Sequence, residues 1–214
     1  QQLDRTPKEY FILGVYASAV HAKWKGPDNK VKIKALAVAS EPYIFWRGEN
    51  AAEIISKIKI PPEVGKLEPA SSQFNGPSGL TLDEKYLKPL GLTREDVWLC
   101  DLLPYTRLNT GQAKAIISEY KPLVEGYNLP EVTIPRVPKT FCDDERAKEI
   151  VIELEESQAT KVILLGDIPI REFLARFDDR YKRLADFKEY GLWHSFIIGG
   201  KEYQVLPLVH PRQA

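Results

Sequence analysis

The residues of this chain best suited to chemistry lie at the ends of apolar segments. Asp101 directly follows the run Val97-Trp98-Leu99-Cys100, and His210 follows the run from Tyr203 to Val209. Tyr16 lies just after the first such run of the chain. A carboxylate can act as a general base, and a histidine can donate a proton or stabilise an anion near neutral pH. Together these side chains indicate acid–base or electrostatic catalysis, provided that the fold brings them to one place.

The apolar runs predict the elements that would position these residues. Four runs are continuously apolar, as in strands buried on both faces of a parallel sheet. They are residues 10–15, 97–100, 161–166 and 203–209. Helical periodicity lies between them, at 51–58, 111–127, 144–157 and after Asp167. This alternation predicts an α/β fold, a three-layer open and mainly parallel four-stranded sheet with helices on both faces. We expect one domain over residues 1–214.

Capping and breaking residues predict where the helices begin and end. Asn50 and Glu53 have capping-box-like spacing, and Asp167 is placed to cap the helix after the third run. Pro122 predicts an end or a kink in the second helix. His21 and His194 have no motif around them and are predicted as surface residues.

Two further segments have strand character. Lys32 to Ala39 is predicted as an edge strand of the sheet, and Phe196 to Tyr203 as a hairpin around Gly199-Gly200. The stretches 59–79 and 128–140 are rich in proline or glycine and are predicted as loops within the domain.

The composition limits the classes of function. Thirty Lys and Arg balance thirty Asp and Glu, so any anion-binding surface must be local. The two cysteines are far apart, which excludes a four-cysteine metal cluster and fits a reducing compartment. The apolar runs are too short to cross a membrane. We expect a cytoplasmic bacterial or archaeal protein, monomeric, with no metal, organic cofactor or membrane partner.

The residues that follow the four runs form an ordered pattern. In sheets of this kind, ligands bind outside the carboxyl ends of the strands. The four segments are Gly14-Val15-Tyr16-Ala17-Ser18, Asp101-Leu102-Leu103-Pro104 with a tail to Asn109, Leu165-Gly166-Asp167, and His210-Pro211-Arg212. Their order and context resemble the uracil-DNA glycosylase superfamily, whose motifs follow four successive core strands. The resemblance extends from Phe11 to Arg212, nearly the whole chain.

The resemblance implies a DNA glycosylase-like hydrolase that flips a damaged or deaminated base out of DNA and excises it. His210 matches the histidine that stabilises the departing base, and Asp101 stands where the family has an amide that reads the base. Phe45 lies near the place of an aromatic side chain that stacks on the base. Further contacts with the base or with DNA are expected from Gly14, Val15, Ala17, Ser18, Asn109, Gly166 and Arg212.

Two departures from the family pattern change the expected chemistry. Val15 and Tyr16 stand where an acid or amide would position the attacking water, and neither is a carboxylate. The Tyr16 hydroxyl could order a water, and Asp101 or Asp167 could supply a carboxylate. An ionised Asp101 can only accept hydrogen bonds, so we expect it to repel O4 of uracil. It should prefer a base edge with adjacent donors, such as a guanine-like base or protonated cytosine. The two cysteines exclude the iron–sulfur branch.

Structural roles remain as alternatives for each of these residues. His210 could simply end a strand, Tyr16 could pack under its loop, and Asp101 could cap the loop that follows it. At the level of function, the chain could be a catalytically inactive nucleic-acid-binding relative or a nucleoside- or nucleotide-processing enzyme on the same fold. The sequence also stops just after Arg212, so we expect the C-terminal loop and helix of the family to be missing from it.

Overall fold

The computed structural model describes residues 2–214, which form two β-sheets. The strands are β1 (Tyr10–Tyr16), β2 (Ala19–Lys25), β3 (Val31–Ser40), β4 (Lys66–Pro69), β5 (Val97–Leu103), β6 (Lys161–Leu165), β7 (His194–Ile198) and β8 (Lys201–Leu208). The larger sheet has the order β5-β1-β6-β8-β7, and the smaller sheet the order β3-β2-β4. The predicted α/β fold with a mainly parallel sheet is confirmed.

Helices connect these strands. The α-helices are α1 (Ala51–Ser56), α2 (Pro77–Thr81), α3 (Thr110–Ala115), α4 (Lys121–Tyr127), α5 (Asp144–Ser157) and α6 (Asp167–Glu172). The π-helical segment Leu82–Leu87 continues α2, and the segment Ile116–Tyr120 joins α3 to α4. Short 3₁₀ turns are Pro62–Val64, Lys88–Leu90, Arg94–Asp96, Leu174–Arg176 and Leu184–Asp186. None of the helices in residues 2–214 has the length and apolar character that spanning a membrane requires.

The larger sheet contains the four predicted strands in parallel, and they occupy adjacent positions. It has a fifth strand, so the predicted number of four is wrong. The additional strand is β7, which pairs antiparallel with β8 through the predicted hairpin at Gly199-Gly200. A hairpin adds its first strand at the sheet edge without a crossover, because antiparallel neighbours need only a short turn.

Helices cover both faces of this sheet, because alternate side chains of each strand point to opposite faces. On one face, Phe11 and Trp98 join a core with Ile150 of α5 and Ile170 of α6. On the other face, Ile12, Val97, Leu99, Ile163 and Leu206 pack with residues of the π-helical segment 82–87. Phe45 and Leu165 of this second core also line a pocket at the carboxyl ends of the strands.

The predicted edge strand at Lys32–Ala39 is real, but its predicted place is wrong. As β3, it pairs antiparallel with β2 in the smaller sheet. The reason is local, since β2 begins directly after the loop that follows β1 and the short turn before β3 returns the chain alongside it. Part of the predicted loop 59–79 also forms a strand, β4, on the other side of β2.

Two predicted helix caps are also wrong. Asn50 has a left-handed backbone and makes no side-chain cap; its Oδ1 instead accepts a hydrogen bond from Trp46 Nε1 at 3.3 Å. Asp167 is the first residue of α6, after Gly166, and its carboxylate accepts from the backbone N–H of Leu184 at 2.8 Å. Pro122 does not end its helix; the wide π-helical segment ends just before it at Tyr120.

Candidate functional site

The carboxyl ends of the four parallel strands open into one pocket of about 800 Å³. Gly14 lies in register with Asp101, and Leu165 lies in register with Leu208. The pairing of β1 with β6 aligns these pairs into one row across the sheet. The residues beyond this row therefore leave the sheet at the same level and surround a common space. Its volume lies within the range typical of small-molecule sites.

The pocket contains the residues predicted from the four strand ends. All the predicted site residues except Gly14 line it: Val15, Tyr16, Ala17, Ser18, Phe45, Asp101, Asn109, Gly166, His210 and Arg212. Gly14 lies directly beneath, in contact with two of them. The structure thus places side chains that are far apart in the sequence around a single cavity.

Gly14 makes room for the floor of the pocket. A Cβ atom on this residue would lie 2.4 Å from Asp101 Oδ1 and 2.7 Å from Cζ of Phe45. Both contacts are far below van der Waals distance, so a residue with a side chain would displace the carboxylate or the ring. Phe45 also has a left-handed backbone with φ of 54°, which is unusual for a bulky residue. Such strain is concentrated at functional sites.

The Asp101 carboxylate is buried and lines the pocket. Only 3% of the residue is exposed, and no side chain or amide within residues 2–214 hydrogen-bonds to its carboxylate oxygens. The loop-capping alternative therefore has no support in this part of the chain. Arg146 instead donates to the Asp101 backbone carbonyl, at 2.8 Å. Burial raises the pKa of the Asp101 carboxyl to about 7.

With this pKa, the prediction that an ionised Asp101 only accepts hydrogen bonds describes one of its two forms. Near neutral pH the carboxyl is divided between an ionised and a protonated form. The protonated form has one O–H donor and one acceptor oxygen, which is the hydrogen-bonding pattern of an amide edge.

His210 lies at the opposite end of the pocket, beyond β8. Its Cβ is 3.1 Å from the position that a Cβ on Gly166 would occupy, and Gly166 has φ of +94°. Burial, together with the nearby charge of Arg212, lowers the pKa of the imidazole to about 4. Nδ1 accepts a hydrogen bond from the backbone N–H of Arg212 at 3.2 Å. The ring is therefore neutral at pH 7 with its proton on Nε2, which leaves an N–H donor for a ligand.

A second carboxylate, Glu41, lines the pocket and was not predicted. It follows β3 directly, and its Oε2 accepts from the backbone N–H of Ser18 at 3.2 Å. Burial and the proximity of Asp101 raise the pKa of this carboxyl to about 8, although the hydrogen bond from Ser18 opposes the shift. The sequence did place an acid just after a strand here. That signal was missed because the strand was assigned to the wrong sheet.

His21 is buried in the wall of the pocket, so its predicted surface position is wrong; it is 5% exposed. Its Nδ1 is 2.9 Å from the carbonyl of Phe74 and must donate there. Gln112 Nε2 then donates to His21 Nε2 at 2.8 Å and also lies 3.3 Å from Ser18 Oγ. Burial lowers the pKa of His21, which keeps it neutral. His194 is half-exposed at the start of β7, and its Nε2 is buried without a partner among the described residues.

The remaining predicted residues have structural partners. Asn109 Oδ1 caps α3 by accepting from Gln112 N at 2.9 Å. The Tyr16 ring stacks on Phe141 at a centroid distance of 6.3 Å, and burial raises the pKa of its hydroxyl. Arg212 is exposed, and its Nη1 donates to the Gln73 carbonyl at 3.0 Å.

Among residues 2–214, no three His, Cys, Asp or Glu side chains are grouped so that they could hold a metal ion. Neither the comparison with protein-family models nor that with curated proteins found a match to this chain.

Proposed function

We propose that this chain is a DNA glycosylase-like hydrolase of the uracil-DNA glycosylase superfamily, with the corresponding three-layer fold. It binds a flipped base in the strand-end pocket and releases it from DNA. The observation that carries this proposal is that Asp101 and His210 line the same cavity. They lie on strands three positions apart, about 14 Å at ordinary strand spacing, so a ligand between them is contacted from two ends.

The two ends have complementary tasks in cleaving an N-glycosidic bond. The bond breaks with its electron pair remaining on the base, so negative charge develops there and positive charge develops on the sugar. Neutral His210 offers an Nε2–H donor to the base anion. A donor held in a buried site stabilises such an anion more strongly than water does. This chemistry uses side chains alone.

Asp101 sets the preference among bases. When ionised, its two acceptor oxygens suit an edge with two adjacent N–H donors, as in oxidised guanine. When protonated, it suits an edge that alternates acceptor and donor, as uracil presents with O4 and N3–H. Because the pKa of Asp101 is about 7, we propose that the preference shifts from uracil-like bases below pH 7 to guanine-like bases above it.

Contacts with the DNA backbone come from the rim of the pocket. Arg171 and Arg212 both line the pocket, and both residues are exposed. The chain has no net charge, so these local cations are the groups that favour phosphate. With so few phosphate contacts, we expect DNA affinity to fall only modestly as salt increases.

The test is a panel of single- and double-stranded oligonucleotides carrying uracil, hypoxanthine, xanthine or oxidised guanine. Abasic sites are detected by alkaline strand cleavage, between pH 6 and pH 9. His210→Ala should reduce base release about 10²- to 10³-fold, the usual cost of removing one donor to a developing anion. His194→Ala is the matched control, since His194 does not line the pocket. Undiminished release by the His210 variant contradicts its role.

A second function is favoured by one observation, the absence of a carboxylate at Val15 and Tyr16. The chain would then be a catalytically inactive relative that recognises nucleic acid. DNA binding without abasic-site formation, across the whole panel, supports this function and contradicts the hydrolase. Turnover of free nucleosides without DNA affinity contradicts both and indicates a nucleoside-processing enzyme.

A further inference from the structure

The pocket contains more carboxylates than reading a base requires. Its acidic lining residues are Glu41, Asp101 and Asp167. Asp101 forms the floor against Gly14, where it faces the base edge. Asp167 Oδ1 is engaged with the backbone N–H of Leu184. Glu41 is thus the lining acid that base recognition does not explain and that is less exposed than Asp167.

The geometry of Glu41 fixes one oxygen and leaves the other available. Oε2 accepts from Ser18 N at 3.2 Å, which ties the side chain to the loop that follows β1. Within residues 2–214, no hydrogen bond reaches Oε1. This loop lies between the Asp101 and His210 ends of the sheet edge, because β1 is a central strand. The free oxygen is thus held in the pocket lining, beside the loop that follows β1.

We propose that Glu41 is the general base that positions and deprotonates the attacking water, a role that rests on the proposed function. The water oxygen forms a bond to C1′ of the sugar as the C1′–N bond breaks. The electron pair of the broken bond leaves with the base, and one proton of the water moves to Glu41 Oε1. The base anion is stabilised at the other end by His210 Nε2–H. Water is the only co-reactant, so atoms and electrons balance.

The surroundings of Glu41 make it a stronger base than an exposed glutamate. Its pKa of about 8 means that the carboxylate, once ionised, binds a proton readily. The titratable and charged groups that share the cavity with it are Tyr16, His21, Asp101, Asp167, Arg171, His210 and Arg212. Of these, Asp101 carries the charge that raises the pKa of Glu41. The rate of base release should therefore rise with pH until Glu41 is ionised.

The experiment compares Glu41→Gln with the wild-type chain. A glutamine keeps the size of the side chain and an oxygen that accepts from Ser18 N, but it cannot take up a proton from water. Glu145→Gln is the matched control, because Glu145 is exposed on α5, far from the lining residues. Thermal unfolding of each variant checks that it folds. Binding of the free base and of the abasic oligonucleotide is measured by titration.

We expect Glu41→Gln to reduce single-turnover base release at least 100-fold, with base affinity changed less than twofold. The rise in rate near pH 8 should disappear in this variant and persist in Glu145→Gln. If Glu41→Gln releases the base as fast as the wild type, the role of Glu41 is overturned and the proposed function is unaffected. Equal losses of binding and release also overturn it, because they indicate a base-binding or structural role. A wild-type chain that releases no base overturns the proposed function and this role together.

Discussion

The acids of the pocket and the acid of the smaller sheet have opposite surroundings. Glu68 on β4 is half-exposed and lies 2.8 Å from Lys25 Nζ and 3.1 Å from Lys66 Nζ. Hydrogen bonds from these lysines lower the pKa of Glu68 to about 2. Asp101 is buried and Glu41 is half-buried, no lysine or arginine of residues 2–214 pairs with their carboxylates, and their pKa values are raised. Lysines therefore neutralise the acid of the smaller sheet, whereas the two acids of the pocket have no such partner among the described residues.

This difference indicates a functional site, because strongly perturbed pKa values concentrate where chemistry occurs. It also has a cost in stability. A carboxyl whose folded pKa is raised stabilises the fold fully below its unfolded pKa, near 4. That stabilisation is lost as the pH rises through the folded value, which is about 7 for Asp101 and about 8 for Glu41. The chain should therefore unfold more easily at pH 9 than at pH 5.

The largest effect should follow from filling the space that the pocket floor needs. In Gly14→Ala, the new Cβ would collide with Asp101 Oδ1 and the Phe45 ring. We expect base release to fall by roughly 100-fold or more, with about 1–3 kcal/mol lost from the free energy of unfolding. Oligonucleotide cleavage and urea denaturation measure the two effects.

Gly126→Ala is the control for this substitution. Gly126 lies in α4 with open space around its Cα, so alanine there should stabilise the helix by about 0.5–1 kcal/mol. Full base release by Gly14→Ala would show that neither Asp101 nor Phe45 needs its present position.

The next largest effect should come from removing the buried charge. Asp101→Asn cannot ionise, so it should be more stable than the wild type by roughly 2–4 kcal/mol at pH 9, since each displaced pKa unit corresponds to about 1.4 kcal/mol. At pH 5 the difference should fall to about 1–2 kcal/mol, because only the unfolded carboxyl is then ionised, and it should vanish below about pH 4. Urea denaturation at both pH values measures this. If Asp101→Asn were stabilised equally at both pH values, burial of the charge would not be the source of the stabilisation. The variant should also keep one base preference across the whole pH range.

The two acids of the pocket were not equally visible in the sequence. Asp101 ends a continuous apolar run, and such runs form parallel strands whatever their neighbours are. The fold of the larger sheet and the motif residues at its edge could therefore be predicted from local patterns. Glu41 could not, because its place depends on β3 pairing with β2, a contact between strands rather than a property of either strand.

Other features of the site depend on contacts that only the folded chain makes. Nothing in the residues around Phe45 indicates its left-handed backbone or its contact with Gly14. The raised pKa of Asp101 likewise depends on its burial, which local sequence does not show. His21 was misjudged in the same way, since its partners Phe74 and Gln112 are distant in sequence.

The smallest effect should come from the acid that is already neutralised. Glu68→Gln removes a half-exposed charge whose lysine partners can be solvated instead, and ion pairs near the surface contribute little. We expect unfolding and base release between pH 5 and pH 9 to match the wild type within measurement error. A loss of base release without a loss of stability would contradict the difference drawn between Glu68 and the two acids of the pocket. Because β4 and β3 flank β2, such a loss would mean that the lysines around Glu68 hold the smaller sheet in the position that carries Glu41 into the pocket. The two regions would then form one functional unit rather than a site and its support.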